Sequence, residues 1–195
     1  MTTYADGQSA VNAIASRPPD LVLLDILLPG LDGLSVLGEV RRLHPQVAVI
    51  LLTALSQEPE RLKGLSAGAD DYITKPFSPA EVVLRVKAVL RRTQGESPPT
   101  IMESGPVRID SAARTVQVGE RQIALTPSEY TLLATLIRRP GRTFTRDQLL
   151  DILQGLDRSA MDRTVDVFVA KVRKKLGLNP SPIHTVWGVG YRWMH

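Results

Sequence analysis

Two uninterrupted aliphatic runs constrain the fold of this chain more than any other feature. Leu21–Leu24 and residues 47–53 show almost no alternation of apolar and polar positions, which is typical of strands buried on both faces of a parallel sheet. Alternating strands and helices predict an α/β domain with helices on both faces of that sheet. The predicted strands are 21–25, 47–53 and 71–73, and the predicted helices are 7–16, 33–43, 57–67 and 79–92.

Three polar residues follow these predicted strands at the point where each strand ends: Asp25, Thr53 and Lys75. Since the carboxyl ends of parallel strands meet along one edge of a sheet, they are expected to converge on one small site. A carboxylate can attack a phosphoryl group, a hydroxyl can hydrogen-bond its oxygens, and an ammonium can offset its charge. Taken singly, Asp25 also suits a capping residue and Lys75 a turn residue, so the prediction rests on their convergence.

The net charge of +4 is unevenly distributed. The first 93 residues hold ten Lys/Arg and ten Asp/Glu, whereas the remaining residues hold fourteen and ten. A basic second half suggests that it meets a polyanion. The chain has no cysteine, which excludes disulfides and thiolate metal sites and fits a reducing compartment. No targeting signal or membrane-spanning stretch is evident, so we expect a cytoplasmic protein without a membrane partner.

The periodicity changes after a segment rich in Pro, Gly and Ser. We predict domains at 1–93 and 102–195, joined by a linker at 94–101. The second domain begins with short strands and turns, and continues with helices that start at two capping boxes, Thr126–Glu129 and Thr145–Gln148. It ends in a hairpin around Gly188 and Gly190.

A helix predicted at about 160–176 has two different faces. Its buried stripe is formed by Val165, Val169, Val172 and Leu176. The opposite face combines cations with small side chains, as suits a helix in the DNA major groove. It carries Arg163, Val167, Ala170, Lys171 and Lys174, with Arg173 on its flank. The helix at about 146–153 then serves as the first element of a helix-turn-helix pair.

The first half resembles a known family in "LVLLDILLPGLDG", "LLTA" and "AGADDYITKPFSPAE". These stretches are similar to the receiver domain of OmpR/PhoB-type response regulators, which has a flavodoxin-like, doubly wound parallel sheet. The resemblance implies that Asp25 accepts a phosphoryl group from a histidine kinase, that Thr53 and Lys75 are switch residues, and that Tyr72 is the aromatic residue that reports phosphorylation. It also implies a homodimer interface whose charged positions are Arg61, Asp71, Glu81 and Arg85.

The acidic residues that hold Mg²⁺ with the phosphoacceptor in this family have no counterpart here, because the chain resembles the receiver only from beyond its second strand. Asp25 and the backbone carbonyl of Leu27 do not by themselves make an adequate Mg²⁺ site. We therefore expect an incomplete, truncated receiver with weak Mg²⁺ binding, severely impaired phosphorylation and an open sheet edge. A misplaced start or trimmed chain, a domain swap, and a receiver remnant remain open explanations, and we favour the first.

The second half resembles the winged-helix effector domain of the same family in "LTPSEYTLLATLIRRPGRTFTRDQLL", "DRTVDVFVAKVRKKL" and "WGVGYRW". The resemblance implies an α+β winged helix-turn-helix domain that binds tandem promoter half-sites as a dimer and contacts RNA polymerase. It implies DNA contacts by Arg163, Lys171 and Arg173, and a terminal hairpin, the wing, that enters the adjacent minor groove. The helical wheel adds Val167 and Lys174 to the DNA contacts. Trp187 and Phe168 depart from the residues that many relatives carry.

Three functional hypotheses follow. The leading one is a transcriptional response regulator, not an enzyme in its own right, in which phosphorylation of Asp25 controls dimerisation and promoter binding. The alternative is a phosphorylation-independent DNA-binding protein whose receiver serves only for dimerisation. A phosphohydrolase that uses Asp25 is disfavoured, since Leu27 stands where a second acid is needed and the basic half is left unexplained.

Overall fold

The computed structural model describes residues 2–54, 64–93, 101–154 and 163–194. The chain divides into two compact units, Met1–Thr93 and Gln94–His195. Each unit is described below by itself. Within the described ranges no helix is long and apolar enough to cross a membrane.

The first unit is built from a parallel sheet and helices that follow its strands. Its strands have the order β1-β2-β3, and both pairings are parallel. Residues 64–67 are helical, whereas the rest of the helix predicted at 57–67 lies outside the described residues. The elements are α1 (Gly7–Ser16), β1 (Leu21–Asp25), α2 (Gly33–Leu43), β2 (Ala48–Thr53), β3 (Asp71–Thr74) and α3 (Pro79–Thr93).

The middle strand β2 confirms the parallel sheet predicted from its aliphatic run. Its residues are buried on both faces of the strand, with the exception of the half-buried Leu52. Ala48 and Ile50 pack with Ile73 and with Val89 of α3 on one face. Helices therefore cover this strand as the α/β pattern predicts.

The prediction that Leu21–Leu24 is buried on both faces was wrong for most of β1. Only Leu24 is buried, and Leu23 is 36 % exposed. The reason is that β1 is an edge strand among the described residues, paired with β2 on one side alone. Aliphatic side chains on such an open edge leave a surface that favours pairing with another strand.

The second unit holds two antiparallel sheets and a helical core. The sheet orders are β4-β5-β6-β7 and β8-β10-β9. Ile101, which we assigned to the linker, is instead the first residue of β4 and lies opposite Asp110. The elements are β4 (Ile101–Ser104), β5 (Val107–Asp110), β6 (Thr115–Val118), β7 (Arg121–Ile123), α4 (Pro127–Ile137), β8 (Phe144–Thr145), α5 (Arg146–Gln154), α6 (Arg163–Leu176), β9 (Ile183–Val186) and β10 (Gly190–Trp193).

Both capping boxes predicted in the second unit are formed. The Thr126 hydroxyl accepts from the Glu129 amide, and the Glu129 carboxylate accepts in return from the Thr126 amide. Thr145 and Gln148 make the same reciprocal pair at the start of α5, at 3.1 and 3.2 Å. These bonds satisfy amide groups that the first helical turn leaves without partners, and so fix where α4 and α5 begin.

Candidate functional site

The carboxyl ends of the three parallel strands form the first candidate site. Asp25 is the last residue of β1, Thr53 is the last residue of β2, and Lys75 follows β3 directly. The Lys75 amide donates to the Thr53 carbonyl oxygen at 2.7 Å. The middle strand thus places Thr53 between the strands that carry Asp25 and Lys75.

Asp25 and Lys75 are in direct contact. The Lys75 ammonium donates to one oxygen of the Asp25 carboxylate, and the Leu27 amide donates to the other at 3.1 Å. The side chains of Asp25 and Lys75 are 28 % and 38 % exposed, whereas Thr53 is buried. A carboxylate held beside a cation and open to solvent can meet an incoming phosphoryl group, and the ammonium offsets the charge that group brings.

A close backbone approach holds the loop beneath Asp25. The Gly33 amide donates to the Ile26 carbonyl oxygen at 3.0 Å. A Cβ atom at Gly33 would lie 2.2 Å from the Asp25 carbonyl oxygen, so only glycine fits here. Asp32 caps α2 by accepting from the Leu34 and Ser35 amides. The bonds from the Ser35 amide and hydroxyl, and then the bond from the Leu34 amide, lower the pKa of its carboxyl group.

The donor set at this site does not fit Mg²⁺, the ion that the receiver family generally binds at its phosphorylation site. Mg²⁺ requires near-octahedral oxygen coordination. Asp25 supplies one carboxylate, which is already paired with Lys75. No cluster of three or more His, Cys, Asp or Glu side chains suited to a metal occurs in the described parts of the chain.

The charges predicted to pair across a dimer are engaged within one chain. Arg85 lies 3.3 Å from the Asp71 carboxylate and 3.2 Å from the Glu81 carboxylate. Asp71 and Arg85 are buried, while the Glu81 side chain is one-third exposed. Arg61 lies outside the described residues, and Tyr72 is buried in β3.

Helix α6 carries the second candidate site, and its buried face matches the helical wheel. Val165, Val169, Val172 and Leu176 are all buried, as predicted. Phe168 is also buried, so the buried stripe is wider than predicted. Phe168, which differs from the residue that many relatives carry, therefore lies away from the exposed side of the helix. Ala170 and Lys174 are exposed, Val167 and Lys171 are half-buried, and the side chain of Arg163 lies outside the described residues.

Arg173 makes a different set of contacts from the DNA contacts that the resemblance implies. Its guanidinium donates to the Ile183 carbonyl oxygen at 2.7 and 3.1 Å, and to the Thr185 hydroxyl at 2.9 Å. It also lies 5.6 Å from the centre of the Tyr191 ring. Arg173 therefore clamps α6 to the terminal hairpin, a role that the helical wheel did not reveal.

A second polar cluster ties together the two helices of the helix-turn-helix and the hairpin. The Asp166 carboxylate accepts from the Tyr191 hydroxyl at 2.7 Å and from the Arg146 guanidinium at 2.9 Å. Burial, followed by this hydrogen bond, raises the pKa of Tyr191, and the bond to Asp166 raises the pKa of Arg146. Sequence reasoning missed all three residues, because their spacing along the chain gives no signal.

The hairpin β9–β10 presents its turn to solvent. Trp187 is 89 % exposed at the tip, whereas Trp193 is buried and donates from its indole nitrogen to the Ser104 hydroxyl at 2.6 Å. Gly188 has a φ of 73° in the left-handed region. A Cβ atom at Gly190 would lie 2.0 Å from the Phe144 carbonyl oxygen, so glycine is required where β10 pairs with β8.

Comparison with known proteins gives consistent matches for both units. Residues 1–87 match the family described as response regulator receiver domain, and residues 119–193 match the family described as transcriptional regulatory protein, C terminal. The chain is 43 % identical over 197 residues to the transcriptional regulatory protein BaeR of Escherichia coli, covering 98 % of this chain and 81 % of BaeR.

Two further relatives and one solved structure are also similar to nearly the whole chain. The phosphate regulon transcriptional regulatory protein PhoB of Rhizobium meliloti is 41 % identical over 97 % of this chain and 85 % of its own length. The DNA-binding response regulator MtrA of Mycolicibacterium smegmatis is 43 % identical over 96 % of this chain and 82 % of its own length. A solved mutant of RitR has a TM-score of 0.76 and 32 % identity, covering 97 % of this chain and 85 % of that one.

Proposed function

The chain belongs to the OmpR/PhoB-type response regulators, and from that premise we propose that Asp25 is its phosphoacceptor and α6 its DNA-reading helix. The family consists of two-component transcriptional regulators, which are typically not enzymes. DNA and a cognate kinase are the partners that such a regulator implies. The contact between Asp25 and Lys75 at the end of the sheet is the observation that carries the phosphoacceptor assignment.

The proposed phosphoryl transfer begins at an oxygen of the Asp25 carboxylate. That oxygen forms a bond to phosphorus while the bond from phosphorus to the donor's histidine nitrogen breaks, and the imidazole keeps the electron pair. Lys75 offsets the negative charge of the incoming group, and the Thr53 hydroxyl is proposed to hydrogen-bond the acyl phosphate after it forms. Tyr72 is proposed as the aromatic residue that responds to this change.

The phosphorylation-independent alternative is favoured by one observation, the poor fit of the donor set to Mg²⁺. A single carboxylate already paired with an ammonium leaves much of the transferred charge without a counterion. We therefore expect phosphorylation of Asp25 by this chain alone to be slow. In this alternative, the first unit would act only in dimerisation.

The proposed DNA-binding surface is the face of α6 opposite its buried stripe. Lys171 and Lys174 supply cations for phosphates or guanine edges, and Val167 with Ala170 permits a close approach to bases. Arg163 is proposed as a further contact from the sequence pattern alone. We leave Arg173 out of this surface, because its guanidinium already bonds the hairpin.

Regulation is proposed to act through the oligomeric state. We propose a homodimer that binds tandem half-sites on promoter DNA in the cytoplasm, and that also contacts RNA polymerase. The charges of Arg61, Asp71, Glu81 and Arg85 remain the proposed dimer positions. Asp71 and Arg85 are buried against each other in one chain. An ion pair between chains would therefore require that this contact break, or that one of the two residues also contact the partner chain.

The phosphoacceptor assignment is tested by the intact mass of the chain after incubation with acetyl phosphate and Mg²⁺. We expect a phosphoryl adduct that accumulates slowly in the wild type and does not form in Asp25→Asn. An adduct of equal amount in Asp25→Asn would place the phosphoacceptor elsewhere. The absence of any adduct would favour the phosphorylation-independent alternative.

The DNA-binding assignment is tested with Lys171→Ala, and Lys87→Ala on the exposed side of α3 is the matched control. If Lys171 reads a base, its removal should weaken operator binding by about 1–3 kcal/mol and relax specificity at one position. If it contacts a phosphate, affinity should fall on all sequences and the salt dependence should flatten. Equal affinities and salt slopes in Lys171→Ala, Lys87→Ala and the wild type would remove Lys171 from the surface.

A further inference from the structure

We propose that Arg121 is a positioning residue for DNA recognition, which fixes the last turn of α6 to the four-stranded sheet β4–β7. The inference rests on the DNA-binding function proposed above and adds to it a residue that acts through α6 without contacting DNA. Base discrimination by Lys171 and Lys174 then depends on a side chain that lies 54 residues before Lys175 in the chain.

The end of α6 directs two backbone carbonyl groups at this side chain. The Gly177 amide donates to the Arg173 carbonyl oxygen at 3.1 Å, and the φ of 66° at Gly177 ends the helix in the left-handed region. The carbonyl oxygens of Lys175 and Leu176 accept from the Arg121 guanidinium at 3.3 and 2.9 Å. Carbonyl groups at a helix end have no partner within the helix, so these bonds tie α6 to β7.

The shape and charge of the guanidinium suit this position. Both bonds come from one nitrogen of Arg121, and a cation is favourable beside the negative end of the helix dipole. A Cβ atom at Gly177 would lie 3.3 Å from that same nitrogen. Glycine at the end of α6 therefore both allows the left-handed turn and leaves room for the guanidinium.

Arg121 projects from a backbone that is itself fixed. It is the first residue of β7 and pairs with Val118 of β6 across a tight turn. The Gly119 amide in this turn donates to the carbonyl oxygen of Pro106, in the turn between β4 and β5, at 2.8 Å. The sheet thus sets where the guanidinium meets α6.

The bonds of Arg121 differ in kind from the other contacts described for the last turn of α6. Arg173 and Lys175 reach Ile183 and Glu129 through side chains of the helix itself, and such side chains can adjust when the helix moves. Arg121 bonds the helix backbone and therefore limits movement of the last turn directly.

Movement of this turn would displace the residues proposed to meet DNA. Lys174 directly precedes the anchored carbonyl groups, and Lys171 lies about one turn earlier. Hydrogen bonds to base edges require a defined geometry in the groove, whereas attraction to phosphates tolerates a shift. Loss of the anchor should therefore reduce base discrimination more than total affinity.

The test compares Arg121→Met, Arg121→Lys and the matched control Arg108→Met in the full chain. Arg108 is an exposed arginine of β5 that lies 3.5 Å from Glu103 in the same sheet, so its replacement removes the same charge. Amide hydrogen exchange at residues 173–177, followed by NMR without DNA, should be about tenfold faster in Arg121→Met and normal in Arg108→Met. Equal exchange in Arg121→Met and the wild type would overturn the anchor.

Base discrimination is the second readout. The probes are a labelled duplex that the wild type selects from a random pool and versions of it with one base pair changed, for which affinity ordinarily falls about 5- to 150-fold. In Arg121→Met this ratio should fall by at least about fivefold at one or more positions, with the salt slope of Arg108→Met. Arg121→Lys, which keeps a cationic donor, should recover part of the ratio.

The outcomes separate the positioning role from a structural role and from direct contact. Partial unfolding of Arg121→Met would weaken binding to every duplex equally, and an unchanged ratio would overturn the proposal. A salt slope shallower by about 0.9 than that of Arg108→Met would make Arg121 a phosphate contact instead. If the wild type selects no duplex, the DNA-binding function itself fails; if it discriminates and Arg121→Met discriminates equally, the positioning role alone fails.

Discussion

Replacing Arg173 with methionine separates the clamp seen in the structure from the DNA contact that family resemblance implies. Methionine keeps an unbranched apolar stem and removes the guanidinium. The change deletes the bonds to the Ile183 carbonyl oxygen and the Thr185 hydroxyl, and the contact with the Tyr191 ring. We therefore expect Arg173→Met to lower the stability of the second unit and to loosen the hairpin against α6.

The magnitude follows from the number and type of bonds that are lost. A hydrogen bond from a charged donor contributes about 1.5–3 kcal/mol. The bonds of Arg173 share one half-buried guanidinium, so their contributions do not add, and we expect a total loss of about 2–3 kcal/mol. With a urea m-value of about 1–3 kcal/mol/M, the midpoint should fall by about 0.7–3 M.

The assay pairs urea unfolding with the salt dependence of DNA binding. Trp187 and Trp193 both lie in the second unit, and Trp193 is buried in the affected sheet, so tryptophan fluorescence reports the unfolding of this unit. Arg173→Met should lower the midpoint and leave the salt slope unchanged. Lys174→Met, at an exposed position of α6, is the matched control. It should leave the urea midpoint unchanged and reduce the slope of log affinity against log salt concentration by about 0.9. A normal midpoint with a reduced slope in Arg173→Met would refute the clamp and restore Arg173 as a phosphate contact.

Three further predictions concern stability. Arg41→Met should cost the first unit about 3–5 kcal/mol in urea unfolding followed by far-UV circular dichroism, because the buried Asp70 loses its ion partner at 2.8 Å; adding Asp70→Asn should recover part of this loss, and no recovery would mean that the charge is not its cause. The raised pKa of Tyr191 predicts that the contribution of its hydroxyl to the stability of the second unit is fully present below pH of about 10 and is lost as the hydroxyl ionises at higher pH; Tyr191→Phe should reduce this alkaline loss, and an unchanged pH profile would contradict the assignment. Glu129→Gln should lower the Tm of the second unit by about 4–8 °C for each kcal/mol lost with the Lys175 ion pair. Lys175→Met should lower it further, because it leaves the buried Glu129 carboxylate without its cation; normal melting of both variants would show that this pair contributes nothing.

Local sequence signals predicted the elements whose structure depends on near neighbours. Helices α1 and α2 have the predicted bounds, and Thr126 and Thr145 form the predicted capping boxes. The exposure of β1 agrees with the open sheet edge that the family resemblance implied, and was not predictable from its own residues, because it depends on which strand lies beside Leu23. Strand β4 was missed since Ile101 follows a Pro-rich segment, and its pairing with β5 is visible only in three dimensions.

In the candidate sites too, some features were predictable from the sequence and others depend on tertiary packing. Convergence of Asp25 with Lys75 was predictable, since the ends of parallel strands meet at one edge. The partners of Arg173 were not, because Ile183 and Thr185 approach it only after the hairpin has packed on α6. Ion pairs such as Asp71 with Arg85 likewise have no sequence signal that distinguishes a buried pair from surface charges.

The affinity for DNA before and after treatment with acetyl phosphate, in the wild type and in Asp25→Asn, tests the central claim most directly. The fraction of modified chain is measured by intact mass in the same samples. If the state of Asp25 controls promoter binding, the affinity of the wild type should rise in proportion to the modified fraction, and Asp25→Asn should show no change. An unchanged affinity of the modified wild type, or an equal rise in Asp25→Asn, would contradict the claim.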